Sequence, residues 1–199
     1  MRRAGSVALL AASLAVGAVG LDLPPDPGAA APSPGRFLVA TEEIRGSIFH
    51  QSVVYLVSYG ETGALGLIVN RPTGVALHEV VKGAVDGAGI LHLGGPVERG
   101  MVMMLLRADE PPERGMRVAD DVVVTSDAEL LLEYARSPDA GRFRVYSGYA
   151  GWGPRQLDGE IARGQWLVVE APSGSIFEDE PESLWKKLFR RHHKLVAAL

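Results

Sequence analysis

Three groups of residues in this sequence are of types that do chemistry: the histidines, the run Thr125-Ser126-Asp127, and the rings and glycines of SGYAGWGPRQLDGEI at 147–161. A histidine metal site announces itself by spacing, and His50, His78, His92, His192 and His193 form no His-x-His or H-E-x-x-H pair. No metal and no cofactor is expected. Cysteine is absent, which excludes disulfides, thiolate catalysis and Cys-ligated zinc or iron–sulfur centres. A serine nucleophile needs a base and an orienting acid, and neither a G-x-S-x-G elbow nor an S-x-x-K motif is present. Ser126 to Glu129 instead fits S-x-x-E, a capping box in which the serine accepts from first-turn N–H groups. A hydrolase using Ser126, Asp127 and one of the histidines stays open as the alternative.

The glycine-rich motifs have a structural and a functional reading each. LGGPV at 93–97 lacks the G-x-G-x-x-G spacing of a dinucleotide site and the Gly-Lys-Ser/Thr of a phosphate loop. It reads as a tight turn whose glycines take positive φ, or else as a nest of backbone N–H groups for an anion. In the third motif Gly148, Gly151 and Gly153 bracket Tyr149 and Trp152, and Pro154 stands at the start of a helical pattern. Such a strand-to-helix corner either receives a ligand with an apolar body and an anionic group or plugs the end of a sheet. Lys186, Lys187, Arg190, Arg191 and Lys194 make the C-terminal segment locally basic. They read as a solvated helix face favouring the negative end of the dipole, with an acidic partner, nucleic acid or a lipid head group as the other possibility, and they are the one candidate feature for a DNA-binding regulator.

The elements that must position these groups can be read from periodicity. RFLVA, SVVYLVSY and ALGLIVN are β-rich, and GETG between the last two predicts an antiparallel hairpin. NRPTG ends the hairpin, because Pro72 cannot donate to a ladder. Leu77, Val80, Val81 and Val85 fall at helical spacing and predict a short amphipathic helix. ILHLGGPV and MVMMLLR read as strands around a turn, and DVVVT as another strand behind a polar connection. A helix follows over DAELLLEYARS, which must end before Pro138, then a strand over RFRVYSGY. GPRQLDGEIARG is expected to be helical with Gly153 near its cap and Pro154 in its first turn, followed by the strand QWLVVEA. A last helix begins near Pro181 with Leu184, Trp185, Leu188 and Leu195 as its packing stripe. The expected fold is α+β: one domain with a mixed, largely antiparallel, curled barrel-like sheet flanked by short helices.

At 199 residues the chain is long enough for one substantial core, and 20 basic against 24 acidic residues give it no overall attraction to nucleic acid. Residues 1–20 begin with two arginines and continue through an apolar run, the pattern of a secretory signal or an uncleaved N-terminal anchor. Export or membrane tethering is the expectation, and a cytoplasmic chain the alternative. Residues 21–35 read as a Pro/Ala/Gly-rich tether and 36–199 as the folded domain.

The blocks FLVAT, VVYLV…GALGLIVNRPTG, LHLGGPV, VVVTSDAEL and GYAGWGPRQLDGEIARGQWL occur in one order, and together they resemble the YqgE/AlgH family of bacterial proteins over residues 36 to 190. The resemblance implies a compact α+β fold with a curled sheet and no established enzymatic activity. Members have been called transcriptional regulators, although the implied fold has no recognised DNA-binding motif. Carried over by position, the implied surface residues are Asn70, Arg71, Pro72, Gly94, Gly95, Pro96, Thr125, Ser126, Asp127, Gly148, Tyr149, Gly151, Trp152, Gly153, Gln156 and Leu157. The chain departs from the family where many relatives have Cys-Glu-His and this sequence has Val57, Ser58 and Tyr59, and where a family histidine is replaced by Met104. The function expected is a non-enzymatic binding or regulatory module for an unidentified protein or small molecule, in contact with the NRP, GGPV and GYAGWG motifs. Nucleic acid is not an expected partner, and the membrane only through the N-terminal segment.

Overall fold

The computed structural model describes residues 30–136 and 142–196, with side chains of the last helix described through His193. The signal-like segment 1–20, most of the tether, and Lys194 and Leu195 as side chains therefore lie outside the described residues. Ten strands form one sheet: β1 (Arg36–Ala40), β2 (Val53–Gly60), β3 (Gly63–Ile68), β4 (Pro72–Ala76), β5 (Ile90–Leu93), β6 (Val97–Arg107), β7 (Met116–Ala119), β8 (Val122–Thr125), β9 (Phe143–Trp152) and β10 (Trp166–Glu170). Their order is β10-β1-β2-β3-β9-β6-β8-β7, with β5 between β4 and β9. Among the described residues only the β5–β9 pair is parallel. The helices are α1 (Leu77–Val80), α2 (Ala128–Ala135), α3 (Gln156–Ala162), α4 (Gly174–Phe177) and α5 (Pro181–Val196).

Alternation along the strands divides the core into an inner and an outer layer. Phe37, Val39, Val53, Tyr55, Val57, Leu67, Met103, Leu105, Val122, Val124 and Tyr146 face the inside of the curl. Ile176 and Phe177 of α4 and Leu184 and Leu188 of α5 fill the same cluster, so these two helices occupy much of the concavity. Outside, α3 packs on β2, β3 and β10 through Leu157, and α2 packs on β6, β8 and β9 through Leu130, Leu131 and Ala135. The curl brings Gly35, just before β1, against Ala119 at the end of β7, so close that a Cβ at Gly35 would collide with the Ala119 methyl. A mixed sheet so bent, with short helices on both faces, is the α+β half-barrel the pattern predicts.

Several local expectations are corrected. The GETG hairpin forms as β2–β3 and stops at Ile68, before NRPTG, but the proline is itself in a strand: Pro72 opens β4, opposite His92 of β5. A first-position, edge-strand proline needs no N–H for the ladder. The helix after it is a single turn, Leu77–Val80, in which only Leu77 is buried and Val80 is 54% exposed, while Val81 and Ala84 reach the core from beyond its end. Met116–Ala119, inside the supposed polar connection, is a strand paired to β8. Asp127, not Ser126, is the N-cap of α2, its Oδ1 accepting from Leu130 N at 2.8 Å. The cap shifts by one residue because Asp caps as well as Ser does, and Glu129 is drawn away to Arg114. Helix α3 starts at Gln156 rather than at Pro154, since Arg155 adopts the left-handed conformation at φ 59°.

Candidate functional site

The GGPV and GYAGWG motifs meet, backbone against backbone. Strand β9 runs with β5 on one side, through Leu91–Val145 to Leu93–Ser147, and β6 on the other. Residues 94–96 must therefore carry the chain from one side of β9 to the other, and they cross it at Gly148–Tyr149–Ala150. A Cβ on Gly94 would lie closer than 3.0 Å to Gly148 O, and one on Gly95 would lie that close to the Tyr149 carbonyl and Ala150 N. Neither glycine has positive φ, which corrects the turn reading: they are present because no side chain fits between the crossing backbones. Gly94 is also bonded on both sides, its N–H to Ser147 O at 2.9 Å and its carbonyl accepting from Ile68 N at 2.8 Å.

Gly148 does have positive φ, at 69°. Tyr146 and Tyr149 both join the inner cluster, while Ala150 and Trp152 join the outer one. Two inward residues three apart break the two-residue alternation, so the facing of β9 shifts by one at Gly148, opposite the irregular stretch of β6 between Val97 and Val102. SGYAGW is thus the second half of a central strand, and the corner lies just beyond it at 153–155.

The remaining motif residues are engaged as follows. Asn70 is 2% exposed; its Oδ1 accepts from Val53 N at 2.8 Å and its Nδ2 donates to Gln51 O at 3.0 Å, tying the end of β3 to the start of β2. Arg71 donates to His50 O, and burial lowers its pKa. Trp152 is 7% exposed and stacks edge-on with Trp166, and both indole N–H groups donate to Glu160 Oε2 at 2.8 Å. Gln156 donates to the other Glu160 oxygen at 2.9 Å and accepts from Gly153 N. Pro96, Gly151, Gly153 and Gln156 are exposed, and Pro72 and Tyr149 are half-buried.

Thr125, Ser126 and Asp127 lie elsewhere, on the rim of a cleft of about 700 Å³. Its apolar lining comes from strands far apart in sequence: Val57 of β2, Leu65 of β3, Met103 of β6, Met116 of β7 and Val124 of β8. Its polar lining is Ser58, Arg114 and the Thr125–Asp127 run. Thr125 is 5% exposed and fixes the rim, donating to Arg114 O at 2.7 Å and accepting from Asp127 N at 3.0 Å. Arg114 Nη1 reaches Asp127 Oδ1 at 3.1 Å and Glu129 Oε2 at 2.5 Å. Glu129 first, then Asp127 and Glu133, hold the guanidinium pKa above its usual value. Ser126 is exposed. The structure therefore separates the candidates into a buried crossing, a tryptophan–glutamate corner and a cleft rim. Arg114, Leu65, Met103 and Met116 carried no signal in the sequence. Val57 and Ser58 carried one, as departures from the family's Cys-Glu-His.

None of the histidines lines this cleft. His92 is 2% exposed against Tyr146, and burial, with the nearby Arg144 charge, lowers its pKa to about 4. Burial also raises the pKa values of the Tyr55 and Tyr146 hydroxyls, so neither ionises near neutrality. Among the described residues no group of three or more His, Asp or Glu side chains is arranged to hold a metal ion. No described helix is long and apolar enough to cross a membrane.

The fold is shared with solved structures. The solution structure of the AlgH protein from Pseudomonas aeruginosa superimposes with a TM-score of 0.69 at 25% identity, covering 85% of this chain and 96% of that one. A crystal structure of a Corynebacterium diphtheriae protein gives 0.68 at 25% identity, covering 82% and 88%. In sequence, a UPF0301 protein of Methylococcus capsulatus is 37% identical, over 84% of this chain and 96% of its own length. A UPF0301 protein of Streptomyces coelicolor is 35% identical over 79% and 85%. With the AlgH-like family profile matching residues 37–196, which hold both the backbone crossing and the cleft, the chain belongs to the AlgH-like family.

Proposed function

We propose that the protein is a non-enzymatic binding module that takes its ligand or partner in the cleft on the inner face of the curled sheet. The observation that carries this reading is the lining itself: an apolar floor from five strands with a few convergent polar groups, and no histidine, lysine or cysteine beside Ser126 and Asp127. A hydroxyl next to a carboxylate that already caps a helix has no base to activate it. The hydrolase alternative loses its support at that point. On this reading the GGPV, GYAGWG and Asn70 motifs make the architecture that holds the cleft open, and the Thr125–Asp127 rim is the functional part. The N-terminal segment, if it exports or tethers the chain as its pattern suggests, places the domain where a DNA-binding role is out of reach.

The test is retention of ligands by rim-blocked protein. Ser58→Trp and Ser126→Trp fill the cleft from exposed positions, and Gln156→Ala alters the tryptophan corner. Metabolites and peptides retained by the wild type, read by native mass spectrometry, should be lost from both cleft variants and kept by Gln156→Ala. Loss from Gln156→Ala alone places the site at the corner and overturns the proposal.

A further inference from the structure

We infer that the cleft, taken as the binding site proposed above, is built for a peptide segment in which apolar side chains alternate with lysine or arginine. Two features of the site point there, and they are independent.

The first is charge. Among the described residues Arg114 is the one cation in the cleft lining, and it is held between Asp127 and Glu129 with Glu133 near enough to raise its pKa as well. Within the lining Arg114 and Asp127 balance, and Glu129, bonded to Arg114, with Glu133 behind it on α2, leaves an excess of negative charge on this side of the cleft. Asp127 Oδ1 is already committed to Leu130 N and Arg114. Asp127 and Glu129 stay half-exposed or exposed at the edge, so an incoming ammonium or guanidinium meets them without displacing the helix cap. An anionic ligand would have to approach against that excess, and opposite charge at an interface rim sets which partners are accepted.

The second feature is the apolar surface. Met103 and Met116 line the cleft, Met116 is 55% exposed, and Met101 and Val102 are each 36% exposed on the part of β6 running up to Met103. Unbranched, polarisable methionine side chains adapt to varied apolar shapes and recur on peptide-binding surfaces. By strand alternation Met101 lies on the same side of β6 as Met103, so apolar surface runs on along the strand from the cleft lining and gives a chain of several residues a surface to follow. A compact metabolite would leave Met101 uncovered; an extended segment covers it.

The experiment uses the full chain and three acetylated, amidated hexapeptides: alternating Leu and Lys, alternating Leu and Glu, and alternating Leu and Ser. Binding is read by fluorescence anisotropy of labelled peptide at low salt. The Leu/Lys peptide should bind saturably, the Leu/Ser peptide more weakly and the Leu/Glu peptide least. In Asp127→Asn/Glu129→Gln the asparagine still caps α2, so the fold is kept. That variant should weaken the Leu/Lys peptide by about three- to tenfold, in line with the loss of partly screened ion pairs. Ser126→Trp should abolish binding. If the Leu/Glu peptide binds best, the cleft stands as the site and the charge inference is overturned, with Arg114 as the anchor. If Leu/Lys binding is untouched by both variants, it is non-specific attraction to an acidic chain, and the inference fails. If no peptide binds while Ser126→Trp still removes ligands retained by the wild type, the peptide class is wrong and the cleft reading survives.

Discussion

Replacing Gly95 by alanine tests the backbone crossing with one methyl group. The added Cβ would fall within 3.0 Å of the Tyr149 carbonyl and of Ala150 N, all main-chain atoms of a central strand. The Tyr149 carbonyl carbon lies nearest of these, so to reach ordinary carbon contact distances the two backbones must part by about 1.5 Å. That movement puts strain on the bonds Gly94 N–Ser147 O and Ile68 N–Gly94 O, now 2.9 and 2.8 Å long. Two weakened hydrogen bonds cost about 2 kcal/mol, and overpacking against immovable backbone adds about 1–3 kcal/mol. The expected loss of about 3–5 kcal/mol is a large share of a typical stability of 5–15 kcal/mol. Urea denaturation monitored by tryptophan fluorescence should show a much lower midpoint with an unchanged slope. Gly100→Ala is the control, since its Cβ would meet nothing within 4 Å, and it should move stability by less than about 0.5 kcal/mol. A Gly95→Ala protein as stable as the Gly100→Ala control would show that the motif is not held by close approach, and the structural account of GGPV would be wrong.

Three further outcomes follow from the same physics. Glu160→Ala strands two indole N–H groups in a mostly buried corner and should cost about 2–4 kcal/mol in urea denaturation, whereas Gln156→Ala, which removes exposed bonds only, should cost under about 1 kcal/mol. Asp127→Ala should lower stability by about 1 kcal/mol while Ser126→Ala leaves it unchanged within about 0.5 kcal/mol; equal effects would return the cap to Ser126. His92 has a folded pKa of about 4 against an ordinary 6.5, so the unfolded chain binds the proton more readily. Its contribution is therefore fully present above pH 6.5 and is lost as pH falls towards 4, by an amount on the order of 3 kcal/mol. His92→Phe should flatten the stability–pH curve in that window, and an unchanged curve would contradict the assignment.

The parts of the fold that depend on local rules were legible in the sequence. A glycine-bounded two-residue loop gave the β2–β3 hairpin, and Pro181 marked the start of α5. The fold class followed from hairpins succeeded by alternating helices. What stayed hidden depends on contacts distant in the chain. Gly94 and Gly95 look like turn glycines until residues some fifty positions later are laid across them. The shift in alternation at Gly148 shows only when Tyr146 and Tyr149 are seen to share a face. Arg155 in the left-handed region is an ordinary arginine in the sequence, yet it delays α3 by one turn's start. Of the cleft, only Thr125, Ser126 and Asp127 were among the candidates, because Leu65, Met103 and Met116 converge by the curl of the sheet and carry no shared motif, and Val57 and Ser58 stood out only as departures from one. The family blocks drew attention to the glycine crossing, whose sequence is constrained by sterics, rather than to the cleft.

The claim that the inner-face cleft is the binding site, with the glycine motifs as architecture, is tested most directly by methyl-labelling the methionines of the full chain. Whatever ligand or peptide the protein retains should shift the Met103 and Met116 methyl resonances and leave Met104, fully buried on the outer side of β6, in place. Binding that leaves Met103 and Met116 unmoved, with the indole signals of Trp152 and Trp166 shifting instead, would contradict the account.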